Sequence, residues 1–334
     1  MTRQITHTLS HTQTEPDMKA LWKMLQTMRP AGSKTEEDFI RDFIAPLGAY
    51  EDGFGNMILR IGDAPIMFTS HTDTVHRKAG FQKIVQKAGL VKLSETEKEA
   101  SCLGADCTAG VWLMRELILS GKAGLYVFFR EEESGGIGSQ WFADNTPELL
   151  DGIQCCVSLD RKGTDSIITH QAGGRCASDA FARSLAKQMI GYKADSTGLF
   201  TDSASLTHLV PECTNLSVGY ENAHTPNETL AYLHLLEVRD MLLRLDYRKL
   251  AIQREPEPKQ ARKYYSGSYR AGSWYEEDWA DDSMYASGSW ARSSKGKARS
   301  VYDFVLAYPE ETADLLEQYG ITVSELYQCA PWLK

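Results

Sequence analysis

The sequence predicts an α/β protein built on a mixed, largely parallel sheet with helices on both faces, and three observations carry that expectation. Short runs such as Ile66-Met67-Phe68 and Leu125-Tyr126-Val127-Phe128-Phe129 are continuously apolar, as strands buried on both faces must be. Between such runs lie segments whose apolar residues recur at helical spacing. Histidines and carboxylates gather just after the apolar runs, at the carboxyl ends of the strands where sheets of this kind place their sites.

The elements follow in order. Met18, Leu21, Trp22 and Leu25 predict a helix over 17–30, and after the turn at Ala31-Gly32-Ser33 a second helix is expected over 36–46. Residues 56–61 and 66–70 read as neighbouring strands joined by the Gly62-Asp63 turn, and 82–86 with 90–93 as a hairpin around Gly89. A helix over 108–120, a buried strand at 125–129 and a helix over 138–144 come next. Strands at 154–159 and 166–169, a helix over 177–190, a strand at 215–218 and a long helix over 230–250 complete the series.

With 334 residues the chain has room for one large domain, expected over 17–254, and an appendage. A net charge of −9 argues against nucleic-acid binding, which Lys and Arg drive. No apolar run approaches the roughly 20 residues that span a bilayer. Residues 1–16 are polar, without the features of a signal peptide, and are expected to be a flexible lead-in to a cytoplasmic protein. Seven cysteines, odd in number and irregular in spacing, point to reduced thiols, with Cys155 and Cys156 as core residues. From 255 to 299 the chain is rich in Tyr, Trp, Ser and Gly with few aliphatic residues, so a disordered linker is expected. Val301, Phe304, Leu315 and Leu316 predict short helices over 300–334 that dock on a partner protein or on a second copy.

The chemistry starts at Ser70-His71-Thr72-Asp73-Thr74-Val75. In a strand, residues i and i+2 share a face, so Asp73 can hold one imidazole nitrogen of His71 while the other binds a metal. Asp106, in Leu103-Gly104-Ala105-Asp106-Cys107, arrives just before a helix, where a simple N-cap is the alternative. Glu131-Glu132-Glu133 ends a buried strand; three carboxylates there repel one another unless cations neutralise them, a solvated acidic loop being the alternative. Asp160 closes Val157-Ser158-Leu159-Asp160, and His224 lies in Glu221-Asn222-Ala223-His224-Thr225-Pro226-Asn227-Glu228. Two histidines and three carboxylates suit two Zn²⁺ ions, with Mn²⁺ or Co²⁺ able to replace them. Two metals about 3.5–4 Å apart, sharing a carboxylate and a nucleophilic hydroxide, suit hydrolysis of an amide.

In this order, His-x-Asp, Gly-x-Asp, Glu-Glu, Asp, His, the motifs resemble those of the co-catalytic zinc exopeptidases. That group includes a lidded aminotripeptidase and carboxypeptidase family and compact, lidless aminopeptidases. The resemblance covers roughly 17–250 and implies that Asp106 bridges both metals, His71 and Asp160 complete one, and Glu133 and His224 complete the other. It aligns the motif Glu-Glu-x-Gly on Glu132-Glu133-Ser134-Gly135, which makes Glu132 the general base and then acid, and leaves Glu131 outside the metal shell. Asp73 supports the reaction by orienting His71. Two departures stand out. Cys107 follows the bridging aspartate, where the family usually has Asp or Asn across a cis peptide. Only 161–223 separate the fourth and fifth motifs, and they read as sheet strands and a helix, so no lid domain is expected.

The implied activity is that of a metallopeptidase acting as an aminopeptidase or dipeptidase on a peptide or small amide. Asp202, in Thr201-Asp202-Ser203, is a candidate contact for the substrate's free amine, with a plain turn as the alternative, and Asn222 is a second candidate substrate contact. An amidohydrolase or deacylase acting on a non-peptide amide would use the same groups. A binding module without catalysis would lack a ligand or the base, and none is missing.

Overall fold

An eight-stranded sheet organises the molecule. Its strands are β1 (Tyr50–Glu51), β2 (Met57–Ile61), β3 (Ile66–His71), β4 (Gly124–Phe129), β5 (Cys155–Arg161), β6 (Ser166–Ile168), β7 (Lys193–Asp195) and β8 (Glu212–Ser217). The computed structural model describes residues 15–256 and Thr312. The readings made for the lead-in, the 255–299 linker and the 300–334 helices fall almost wholly outside them. The chain divides into two units, Met1–Gln260 and Ala261–Lys334.

The spatial order is β7-β6-β8-β5-β3-β4-β2-β1. At its centre β8, β5, β3 and β4 run parallel, so their carboxyl ends share one edge. β2 and β6 flank them antiparallel. Side chains of the central strands alternate between two cores. Phe68, Tyr126, Phe128 and Val157 enter one core with helices α1 (Met18–Leu25), α2 (Lys34–Phe39), α3 (Ala105–Leu119), α5 (Asp179–Ala186) and α6 (Tyr232–Arg244). Met67, Leu125, Val127 and Cys156 enter the other with Phe142 of α4 (Ile137–Asn145). Helices therefore cover both faces, and each fully buried Phe or Leu contributes about 1.5–3 kcal/mol. Among the described residues no helix is long and apolar enough to cross a membrane.

Helix α3 is buried along most of its length because it lies between the sheet and other helices. A Cβ on Gly110 would run into the Leu159 carbonyl, so glycine lets the first turns of α3 press against β5. That contact brings Asp106 to the carboxyl ends of β3 and β5. A smaller sheet joins Ile84–Lys87, Leu90–Leu93, Thr229–Ala231 and Tyr220–Glu221, and the loop between the last two carries His224.

Four expectations need correction. Strands β2 and β3 are not neighbours: β4, with all six residues buried, takes the place between them, while β2, with exposed Arg60, moves outward. The first helix stops at Leu25, because Thr27–Met28 pairs with Gly80–Phe81. The last begins only at Tyr232, since Thr229–Ala231 pairs with Leu90–Lys92, and it ends at Arg244. The helix expected over 177–190 is the shorter Asp179–Ala186. The hairpin around Gly89 forms as expected. Residues 161–223 are spent on β6, α5, β7 and β8, within or against the main sheet, so no lid is inserted there.

Candidate metal centre

The parallel strands deliver the acidic and histidine residues to one edge. His71 ends β3, Asp160 lies near the end of β5, and β4 leads into the Glu131-Glu132-Glu133 loop. Asp106 comes from the start of α3. Its two carboxylate oxygens face different histidines: Oδ1 is 3.1 Å from His71 Nε2, and Oδ2 is 3.3 Å from His224 Nε2. His71 Nε2 also lies 3.4 Å from Asp160 Oδ1, and His224 Nε2 lies 3.1 Å from Glu133 Oε1. Two groups of donors result, His71/Asp106/Asp160 and Asp106/Glu133/His224, each with its atoms within 4.8 Å of one another. Glu132 joins His71 and Glu133 in a third grouping of the same size.

The electrostatics are those of a site short of positive charge. Burial and the neighbouring Asp106 push Glu133 up to about 7. Burial raises Glu132 well above the usual carboxylate range, and burial with the Asp106 charge raises Asp160. Hydrogen bonds to Asp106 and Glu133 push His224 up to about 11. Burial opposes the charged form of Asp106, but the two histidines prevail and hold it far below its ordinary range. Four carboxylates around two imidazoles fit a pair of divalent cations in donor type and in charge. Cys107 also lies within the first group, but burial raises its thiol well above the ordinary range and Sγ–H donates to the Leu159 carbonyl at 3.0 Å. The peptide between Asp106 and Cys107 is cis.

Supporting contacts hold this arrangement. His71 Nδ1–H donates to the main-chain carbonyl of Asp73 at 3.1 Å, while the Asp73 carboxylate stands 3.5 Å away. The strand ends at His71, so the expected i, i+2 alternation does not place Asp73; the tight turn does. The carboxylate of Asp73 instead accepts the N–H groups of Glu132 and Glu133, each at 3.2 Å, and so ties the β3 turn to the β4 loop. Thr201 Oγ1 donates to Asp160 Oδ2 at 2.6 Å, and Tyr220 donates to the Asp160 carbonyl at 3.0 Å.

Glu228 was given no role by the sequence reading, although it closes the His224 motif. It is fully buried and accepts the N–H groups of Gly104 and Asp106 at 2.8 and 3.0 Å, holding the turn that presents Asp106. Its carboxylate four residues after His224 was the available signal. Asp202 is 1% exposed, its Oδ1 has no hydrogen-bond partner, and burial pushes it up to about 8. It is enclosed by protein rather than presented to solvent. Asn222 is exposed in a left-handed conformation two residues before His224, which is also left-handed.

A parallel sheet whose edge gathers two carboxylate and histidine sets around a shared aspartate defines a candidate two-metal centre on an exopeptidase-type fold. Solved structures with this fold include peptidases. Aminopeptidase PepT from Bacillus cereus matches with a TM-score of 0.56 and 16% identity, over 68% of this chain and 96% of its own. A tripeptidase from Staphylococcus aureus matches with 0.55 and 17%, over 68% and 95%. The TET1 peptidase of Pyrococcus horikoshii, which can assemble into a tetrahedron or a large octahedral shell, matches with 0.50 and 16%, over 68% and 98%. At these identities the likeness is one of fold. No protein-family model and no curated protein sequence matches the chain.

Proposed function

We propose that this chain is a metal-dependent exopeptidase that removes residues from the amino end of peptides. His71, Asp106 and Asp160 would hold one divalent cation, and Asp106, Glu133 and His224 the other, with zinc the first choice. The observation that carries this reading is the Asp106 carboxylate, with one oxygen 3.1 Å from His71 and the other 3.3 Å from His224. Bound there, the cations would make water acidic enough to attack at neutral pH and would draw charge from the scissile carbonyl.

The chain's own residues do the rest. Glu132, half-buried and raised in proton affinity, takes the proton of the attacking water and passes it to the leaving amine. Its backbone, held by Asp73, keeps the carboxylate in place for both transfers. The arginines that adjoin the cluster in sequence are already engaged: Arg130 with Glu36 at 3.0 Å, and Arg161 with Thr197 at 3.1 Å. An acidic centre flanked by occupied arginines favours a substrate's amino group over a terminal carboxylate, and so an aminopeptidase or dipeptidase.

Metal analysis beside hydrolysis of free and N-blocked peptides tests the assignment. About two metal ions per chain and cleavage of free peptides, abolished by Glu132→Ala, are expected. Metal-free protein, or cleavage that survives the substitution, overturns it. Cleavage of N-acyl substrates alone would move the protein to the deacylases. We assign 17–254 to catalysis and 255–334 to self-association or a protein partner. Light scattering and peptidase assays on a chain ending at 254 check this, and loss of activity with an unchanged number of copies per particle refutes it.

A further inference from the structure

We infer that Leu199 and Phe200 form an apolar wall beside the metal centre that takes the side chain of an aliphatic or aromatic amino-terminal residue. The inference rests on the exopeptidase reading and adds the substrate class. Among the described residues, these two are the adjacent pair of large apolar side chains left exposed, Leu199 by 50% and Phe200 by 39%. Their segment is tied to the centre at both ends. Arg161, next to Asp160, donates to the Thr197 carbonyl at 3.2 Å and to its hydroxyl at 3.1 Å. Thr201, next to Phe200, donates to Asp160 Oδ2 at 2.6 Å.

The second anchor is Gly136, three residues after Glu133. It has φ +70°, and a Cβ there would run into the Phe200 ring. The 197–201 segment thus reaches from the strand end that carries Asp160 to the loop that carries Glu132 and Glu133. In an amino-end exopeptidase the residue whose carbonyl is attacked lies against the metals, so its side chain reaches the walls that adjoin them. An exposed phenyl ring and isobutyl group at that place gain most from a partner that removes them from water.

The test uses the full-length, metal-loaded chain carrying Glu132→Gln to suppress turnover, titrated calorimetrically with Leu-Gly-Gly, Phe-Gly-Gly and Gly-Gly-Gly. Leu- and Phe-peptides are expected to bind about 10-fold or more tightly than Gly-Gly-Gly, the scale of a hydrophobic side-chain pocket. Phe200→Ala should remove most of that difference, Gly136→Ala should reduce it by displacing the ring, and Phe200→Leu should largely keep it. Equal affinities for the three peptides, a preference that survives Phe200→Ala, or no binding of any peptide overturns the inference. So does a Phe200→Ala chain that loses only self-association. Turnover of the same peptides by the unsubstituted chain separates the two claims. Selective binding without turnover sinks catalysis and leaves the wall, whereas turnover without selectivity does the reverse.

Discussion

Two acidic regions of this molecule, one buried and one half-buried, are built on opposite principles. Glu212, fully buried at the start of β8, accepts from Ser178 N and Oγ at 2.6 and 2.8 Å and from Gln253 N and Arg254 N at 2.8 and 3.0 Å. Glu116, likewise buried, meets the guanidinium of Arg239 at 2.8 Å. Each carboxylate there has its donors or its counter-charge within the fold. At the sheet's carboxyl edge, Asp106, Glu132, Glu133 and Asp160 face one another and share two imidazoles. A buried carboxylate is thus not by itself a sign of function. A group of them whose compensation is left incomplete is such a sign, because the missing charge must come from outside.

Substitution should separate the two regions, and the largest effect belongs to the shared aspartate. Asp106→Asn is expected to lower metal content to less than half and to cut kcat/KM by about 10³-fold, without a matching loss of folded protein. Full metal content in that variant would break the distinction. Glu132→Gln should reduce kcat by about 10²–10⁴-fold while metal content stays unchanged, which separates a proton carrier from a ligand in one assay pair.

On the structural side, Glu116→Ala removes the buried acceptor of Arg239 Nε while Arg239 keeps its contact with Asp240 at 2.9 Å, at a cost of about 1–3 kcal/mol. Urea denaturation measures that loss, and metal content in the folded fraction should not change. Asp73 stands between the two kinds of region, since it binds no metal in this reading but orders the groups that do. Asp73→Asn should weaken metal affinity by about 10–100-fold, and an unchanged affinity would make Asp73 an ordinary turn residue.

The smallest effect contrasts two histidines. His224 is raised by carboxylates, whereas His76, 4% exposed, is lowered to about 4 by burial. The His76 ring donates from Nε2 to the Cys102 carbonyl at 2.9 Å and accepts at Nδ1 from Thr74 Oγ1 at 2.7 Å. Its folded pKa lies below the unfolded value of about 6.5, so the unfolded chain takes up the proton first as pH falls. Stability is unaffected above that pH and lost between about 6.5 and 4, which amounts to about 2 kcal/mol by pH 5. The raised carboxylates of the metal centre titrate in the same range with the opposite sign, so denaturation of metal-free protein at pH 7 and 5 should be compared between the native chain and His76→Gln, where the two pH-dependent changes should differ by about this amount. Equal changes in the two chains would place the titrating group elsewhere.

Much of this was legible along the chain. Continuous apolar runs marked β3, β4 and β5, and the residue types after them marked Asp106, His71, Glu133, Asp160 and His224 as one set. Less was legible wherever two distant segments had to meet. The carboxylate of Glu228 reaches the Gly104 turn across 124 residues, and that of Asp73 reaches the Glu132 amide across 59. Asp202 looked like a contact for substrate, yet its burial depends on the elements packed around it.

By itself the sequence determined the class of fold, the histidines and carboxylates that follow the apolar runs and the lack of room for a lid, since period, residue type and segment length are local properties. Tertiary structure alone decided that β4 lies between β2 and β3, and that one oxygen of Asp106 faces each histidine. It also decided that Phe200 stands beside Gly136. These outcomes depend on which apolar faces pack best and which buried polar groups find partners across the sheet, and no window of sequence contains both sides of such a contact.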